Sequence, residues 1–346
     1  MTLRTGSLFS GYGGLDLAVN AFYGSETAWH VEYEAAPSKI LAHHWPEIPN
    51  HGDVTQIDWT AVEPVDILTG GYPCQPFSAA GRRQGTNDER HLWPYVRDAI
   101  RHLRPRYTVL ENVAGHRSLG FDRVLGDLAE DGLDAQWVSV RASDVGAPHH
   151  RERVFILATD PDRNAVRQQP VPEPQRGCEA ITGRSSEDAA DSDGRQRDGN
   201  QRAQGRTALG RTAVTRGCPG VPANTEGKRL PRQQQPQRGT SEGPSVDSRV
   251  GVLPRPDWGR YGPAIRRWER LNRTAPAPTE LNGNGKPRLN AAFPEWMMGL
   301  PEGHVTAVPS ISRTEQLKAI GNGVCPQQAY RALEMLHHIA FLGEVA

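Results

Sequence analysis

The pattern that most narrows the possible folds lies between residues 3 and 35. Leu8-Phe9-Ser10 reads as the end of a strand, Gly11-Tyr12-Gly13-Gly14 turns the chain, and the amphipathic stretch Leu15 to Phe22 reads as a helix. Strand, glycine turn and helix open a nucleotide-binding α/β unit, where glycines let a ligand approach backbone N–H groups. Glycine turns are common, so the pattern alone has low specificity. Trp29-His30-Val31-Glu32 strengthens it, because its acidic end lies about 20 residues on, where a ribose-binding carboxylate is needed. Asp53, in His51-Gly52-Asp53-Val54, offers another carboxylate near what reads as a third strand end. No Walker Lys-Ser/Thr follows the glycines, which argues against a triphosphate.

The same alternation continues. Val65 to Leu68 is a short apolar run ended by Gly70-Gly71, and Tyr72-Pro73-Cys74-Gln75-Pro76-Phe77-Ser78 follows. Prolines on both sides of Cys74-Gln75 exclude regular helix and fix the pose of one thiol at a strand end. Cys74 is a candidate nucleophile; the ordinary reading of a lone cysteine is a small buried apolar residue. A polar loop with Arg82 and Arg90 comes next, then a helix from Leu92 to Leu103. Tyr107 to Leu110 reads as a strand ending at Glu111-Asn112-Val113. Glu111 is a candidate acid or, in isolation, a capping or surface glutamate. Strands at Trp137 to Val140 and Val154 to Ala158 flank Arg151-Glu152-Arg153. At alternate positions entering a strand, Arg151 and Arg153 point the same way and could face one anion or carbonyl. Near the end, Phe293 to Pro301 reads as a helix closed by Gly-Leu-Pro. Gln316 to Val324 then leads into a final helix from Pro326 to Phe341.

Between these ordered flanks the character changes. From residue 160 to about 250 Arg, Gln, Gly, Pro, Asp and Ser dominate, in keeping with a mean hydropathy of -0.62 for the whole chain. Formal charge is zero overall, yet residues 160–287 hold 22 Lys and Arg against 15 Asp and Glu. One basic segment in a neutral chain suits a polyanion partner, or a solvated arginine-rich linker. Trp258 to Leu271, with Arg260 and Arg266, suits nucleic-acid contact or a plain surface helix. The four cysteines show no zinc spacing and no disulfide framework, and no apolar run is long enough for a membrane span. A soluble, reducing, cytoplasmic setting and no metal are expected.

Taken together these motifs resemble the DNA (cytosine-5) methyltransferase family, in the family's order, over most of residues 5–158 and 286–340. The resemblance assigns S-adenosylmethionine as cofactor. Phe9, Gly11, Gly13 and Gly14 look like its glycine loop, Glu32 like the ribose acid, Tyr33 like the adenine cover and Asp53 like the contact to the adenine amino group. Pro73, Leu92 and Asn322 of the closing motif Gly321-Asn322-Gly323-Val324 complete that set. Pro73-Cys74-Gln75 is similar to the nucleophile motif, Glu111-Asn112-Val113 to the base-gripping motif and Arg151-Glu152-Arg153 to the paired-arginine motif. Gln75, Ser78, Arg82, Arg90, Arg260 and Arg266 become candidate DNA contacts. The family usually carries Gln where His149 stands and Ser where Gly323 stands.

The resemblance implies an α/β fold, a doubly wound and mainly parallel sheet closed by the C-terminal helix. Residues 1–159 and 286–346 would form the catalytic, cofactor-binding domain. Residues 160–285 would form a smaller, irregular target-recognition lobe, where no motif transfers residue by residue. The implied partner is duplex DNA with the target cytosine swung out of the helix. A monomer is expected, with a cognate restriction endonuclease as a functional rather than physical partner. An RNA cytosine-5 methyltransferase and an inactive DNA-binding relative are the alternatives; the long basic insert argues against the first, and intact Cys74, Glu111 and Arg153 against the second.

Overall fold

Successive residues of the inner strands serve two different cores. Ile67, Val109, Phe155 and Leu157 pack on one face of the sheet, while Leu68, Leu110 and Ile156 pack on the other. Strands apolar at both parities must be covered on both faces, and here helices cover each. The computed structural model describes residues 2–73, 92–118, 120–166 and 256–342, all within one compact unit. Cys74, Gln75, Ser78, Arg82 and Arg90 lie outside the described residues, as does most of the 160–285 segment.

The sheet contains β1 (Arg4–Leu8), β2 (Glu26–Val31), β3 (Ile67–Gly70), β4 (Tyr107–Val113), β5 (Asp134–Arg141) and β6 (Glu152–Thr159) in the order β2-β1-β3-β4-β6-β5. The first four strands are parallel, and β6 is antiparallel to both β4 and β5. The mainly parallel, doubly wound architecture is therefore present. After β1 the chain steps outward to β2 and then crosses to the other side of β1 as β3. A crevice opens at such a reversal, beyond the carboxyl ends of the strands. Because β6 is reversed, it starts at that same edge, with Arg153 opposite Val113, and ends with Thr159 opposite Tyr107.

On one face lie α1 (Gly14–Tyr23) and, after several intervening elements, the last helix; on the other lie α3 (Trp93–Leu103) and α4 (Phe121–Glu130). Between them in sequence comes α2 (Ala35–His44), and α5 (Pro161–Val166) follows β6. Next come α6 (Gly262–Leu271), the hairpin β7 (Thr279–Leu281) and β8 (Pro287–Leu289), then α7 (Ala292–Met297), α8 (Arg313–Asn322) and α9 (Pro326–Leu342). The start of α8 is a capping box: Ser312 Oγ accepts from Glu315 N–H and Glu315 accepts from Ser312 N–H. At its other end Gly321 and Asn322 form the last turn of the helix. The α6 helix buries Ile265 and Trp268 against Ala142, Ala147 and Trp296, leaving its arginine face outward. Among the described residues no helix is long and apolar enough to cross a membrane.

Candidate functional site

A cavity of about 540 Å³ opens at the carboxyl edge of the sheet. Five strand ends feed it: those of β1, β2, β3 and β4, and the start of β6. Phe9, Gly11, Gly14, Glu32, Tyr33, Asp53, Pro73, Leu92 and Asn322 all line it, as do Glu111 and Arg153.

The β1–α1 turn is held in an uncommon shape. Phe9 has φ of 53°, a left-handed value that costs a non-glycine residue of order 1–3 kcal/mol. Gly13 N–H donates to Ser10 O at 2.8 Å and Gly11 N–H to Glu32 Oε2 at 2.8 Å, which fastens the turn to the end of β2. The three glycines do different work. Gly11, with φ of 57°, has open space where a Cβ would stand. A Cβ on Gly14 would instead meet the carbonyl oxygen of Val324, so that glycine admits the returning chain. Gly13 is not part of the cavity wall, contrary to the sequence reading. It caps α1 in the left-handed region with Trp45 packed where its Cβ would be.

Glu32 accepts from Gly11 and, through Oε1, from Glu34 N–H at 2.7 Å; burial pushes its carboxyl up while these N–H groups oppose the rise. Tyr33 beside it is 77% exposed, a large ring left facing solvent at the rim. Asp53 corrects a second expectation. No strand ends there; its side chain caps a single helical turn at Val54–Gln56, accepting from Thr55 N–H at 2.9 Å through one oxygen. A diol acceptor, a free backbone approach at Gly11 and an exposed aromatic ring suit a nucleoside such as the adenosine of S-adenosylmethionine.

On the far side of the cavity Arg153 Nε lies 2.9 Å from Glu111 Oε1. Glu111 is 8% exposed, and burial drives its carboxyl above the ordinary glutamate range against the pull of Arg153 and Arg151. Gly71 leaves room for it, since a Cβ there would come 3.4 Å from Glu111 Oε2. The neighbouring Asn112 donates to the carbonyl of Tyr72 at 3.1 Å, and Tyr72 OH is 2.8 Å from His116 Nε2. These contacts fix the backbone one residue before Pro73-Cys74.

Arg151 does not join Arg153 on one group. It precedes β6 with φ of 36°, so strand alternation does not extend to it. Its Nη2 donates to the carbonyls of Gly321 and Gly323, the latter a short contact. His149 ties the same segment to α7 through Met297 O at 3.0 Å. Arg260 and Arg266 are exposed and apart from the cavity; Arg260 stacks on and hydrogen-bonds Tyr261.

Residues 3–338 match the family model described as C-5 cytosine-specific DNA methylase. The chain belongs to that family. The methylase family takes its methyl from S-adenosylmethionine, in keeping with the cavity. Similar proteins include the type II methyltransferase M1.ScrFI of Lactococcus lactis subsp. cremoris, 32% identical over 44% of this chain and 40% of that one. Another is the orphan methyltransferase M.Rho11sI of Bacillus phage rho11s, 32% identical over 46% of this chain and 33% of that one. The matched stretch thus spans less than half the length of either curated relative. The crystal structure of S. pombe Dnmt2 is 13% identical with a TM-score of 0.54, over 99% of this chain and 100% of that chain, a likeness of fold.

Tyr12, Tyr72 and His116 escaped the sequence reading of the site. Tyr12 left a usable signal, a large aromatic inside a run of glycines. The others act through contacts between segments distant in sequence, which spacing does not reveal.

Proposed function

We propose that this protein transfers a methyl group from S-adenosylmethionine to C5 of a cytosine in duplex DNA. One observation carries the reading: a buried Glu111–Arg153 pair shares a cavity with the Glu32 and Gly11 nucleoside cradle. When bound, S-adenosylmethionine supplies an electrophilic methyl group. Glu32, Gly11, Tyr33 and Asp53 would hold its adenosine end, with the 321–324 segment as the opposite wall.

The chain's own groups raise the reactivity of cytosine. The Cys74 thiolate adds to C6, forming a C–S bond, and the displaced π electrons make C5 nucleophilic. Glu111, whose affinity for a proton burial raises, gives a hydrogen bond or its proton to N3 as charge develops there. Arg153 holds the carbonyl oxygen, a fixed positive charge aimed at growing negative charge. Once C5 carries the methyl, loss of its proton to a base restores the double bond and the C–S bond breaks, returning the thiolate. Arg151 orients the site from behind. The cytosine reaches this cavity only out of the helix, at a cost of roughly a few kcal/mol in stacking and pairing.

Residues 160–285 would select the target sequence. Arg260 and Arg266 would touch phosphates, a role supported by their exposure and by their having no ion pair among the described residues. From the 74–91 segment Gln75, Ser78, Arg82 and Arg90 would join them, giving affinity that falls with added salt. Tritiated S-adenosylmethionine incubated with the protein and either duplex DNA or tRNA tests the proposal. Label is expected in DNA, and none with Cys74→Ser. Label in tRNA alone, or undiminished label with Cys74→Ser, overturns it.

A further inference from the structure

The wall formed by residues 321–324 is held by two donors from elsewhere in the chain. Arg151 holds the carbonyls of Gly321 and Gly323, and Tyr12 OH donates to that of Val324 at 2.7 Å. Tyr12 is fully buried. Burial pushes its phenol far up, so it stays a donor. Its own carbonyl accepts from His304 Nε2 at 2.8 Å, and the two rings meet edge to face. The ring packs closely against two glycines that line the cavity. A Cβ on Gly323 would overlap Cε1 and Cζ of Tyr12, and one on Gly14 would overlap its Cε2 as well as the Val324 carbonyl. Gly14, Gly323 and Val324 all line the cavity. The aromatic residue and the glycine at 323 are therefore one device, the ring occupying the volume that a side chain at 323 would need.

We infer that Tyr12 is a positioning residue of the cofactor pocket, which sets the place of the 321–324 wall through its hydroxyl and requires glycine at 323 through its ring. The inference rests on the reading that this cavity holds S-adenosylmethionine. It also reassigns Arg151, whose guanidinium serves the cofactor wall while Arg153 two residues on serves Glu111. The family's usual serine at 323 would not be tolerated with tyrosine at 12, and a smaller residue at 12 would make it tolerable.

The test is calorimetric binding of S-adenosylhomocysteine to the full-length protein, with KM for S-adenosylmethionine and kcat measured beside it. Tyr12→Phe leaves a buried carbonyl without its donor and should weaken binding about fivefold, the larger share appearing in KM. Gly323→Ser should weaken it by more than about tenfold in the native background, but by less than about threefold in a Tyr12→Leu background. Equal losses in the two backgrounds, or Tyr12→Phe binding like the wild type, overturn the inference. If Gly323→Ser alone is insoluble, a soluble Tyr12→Leu/Gly323→Ser protein supports the size match and an insoluble one overturns it. A wild-type protein that binds no nucleoside removes the pocket reading itself, a result separate from any difference among variants.

Discussion

Two buried glutamates show how differently this molecule treats the same side chain. Glu295, at the start of α7, is fully buried and accepts from the N–H groups of Gly303, Val305 and Thr306 and from Thr306 Oγ, with Arg273 3.7 Å away. Glu111 is nearly as buried, yet its described contacts reduce to the guanidinium of Arg153, and it borders an open cavity. A carboxylate surrounded by donors is a fixed anchor, here for the 301–308 turn that carries His304 to Tyr12. A carboxylate with few donors and a raised affinity for protons is free to exchange one with a ligand. Solvation, not residue type, separates the two.

The contrast can be broken most sharply at Glu111. Glu111→Gln should lower kcat by about 10²–10⁴, with S-adenosylhomocysteine bound within about threefold of the wild type. If kcat stays near normal, the two glutamates do not differ as argued. Glu295→Gln should act in the opposite sense, lowering urea-measured stability by roughly 3 kcal/mol while the folded fraction keeps its turnover. A selective loss of turnover with unchanged stability would place Glu295 among the reacting groups.

The pH response sharpens the same point. Burial raises the folded pKa of Glu111 above its unfolded value. The stability it contributes is therefore fully present below the ordinary glutamate value and lost as pH rises through the folded one. Turnover that needs the protonated form should fall by up to about tenfold per pH unit above that folded value, and Glu111→Gln should remove this limb. A wild-type profile with no such limb would contradict the role. The smallest effect belongs to the surface: Lys318→Ala, which breaks an exposed pair with Glu34, should change stability by less than about 1 kcal/mol in the same urea titration. A larger loss would show that the periphery supports the pocket more than its exposure suggests.

Much of this was legible beforehand, for physical reasons. β3, β4 and β6 contain short apolar runs stopped by glycine or by charge, and the sheet buries them on both faces as such runs require. Glu32, Glu111 and Arg153 stood at strand ends, where open sheets present side chains to ligands. What escaped depended on contacts across long stretches of chain. Gly13 read as ligand-facing, but it lies off the cavity wall with Trp45 packed where its Cβ would be. Asp53 read as a strand end because a lone apolar residue beside it gives no period to distinguish a strand from a capped turn. Arg151 read as Arg153's equal because a two-residue repeat carries no sign of a positive φ.

The reversed direction of β6 decides where the chain leaves the sheet. A parallel strand there would have released the chain at the reactive edge, where every later addition would crowd the chemistry. Running backward, β6 delivers its arginine first and lets the polypeptide go at Thr159, at the edge away from the cavity. A change in the length of chain downstream of that point leaves the arginine at its station. The place of Arg153 at the cavity is thus independent of how much chain follows Thr159.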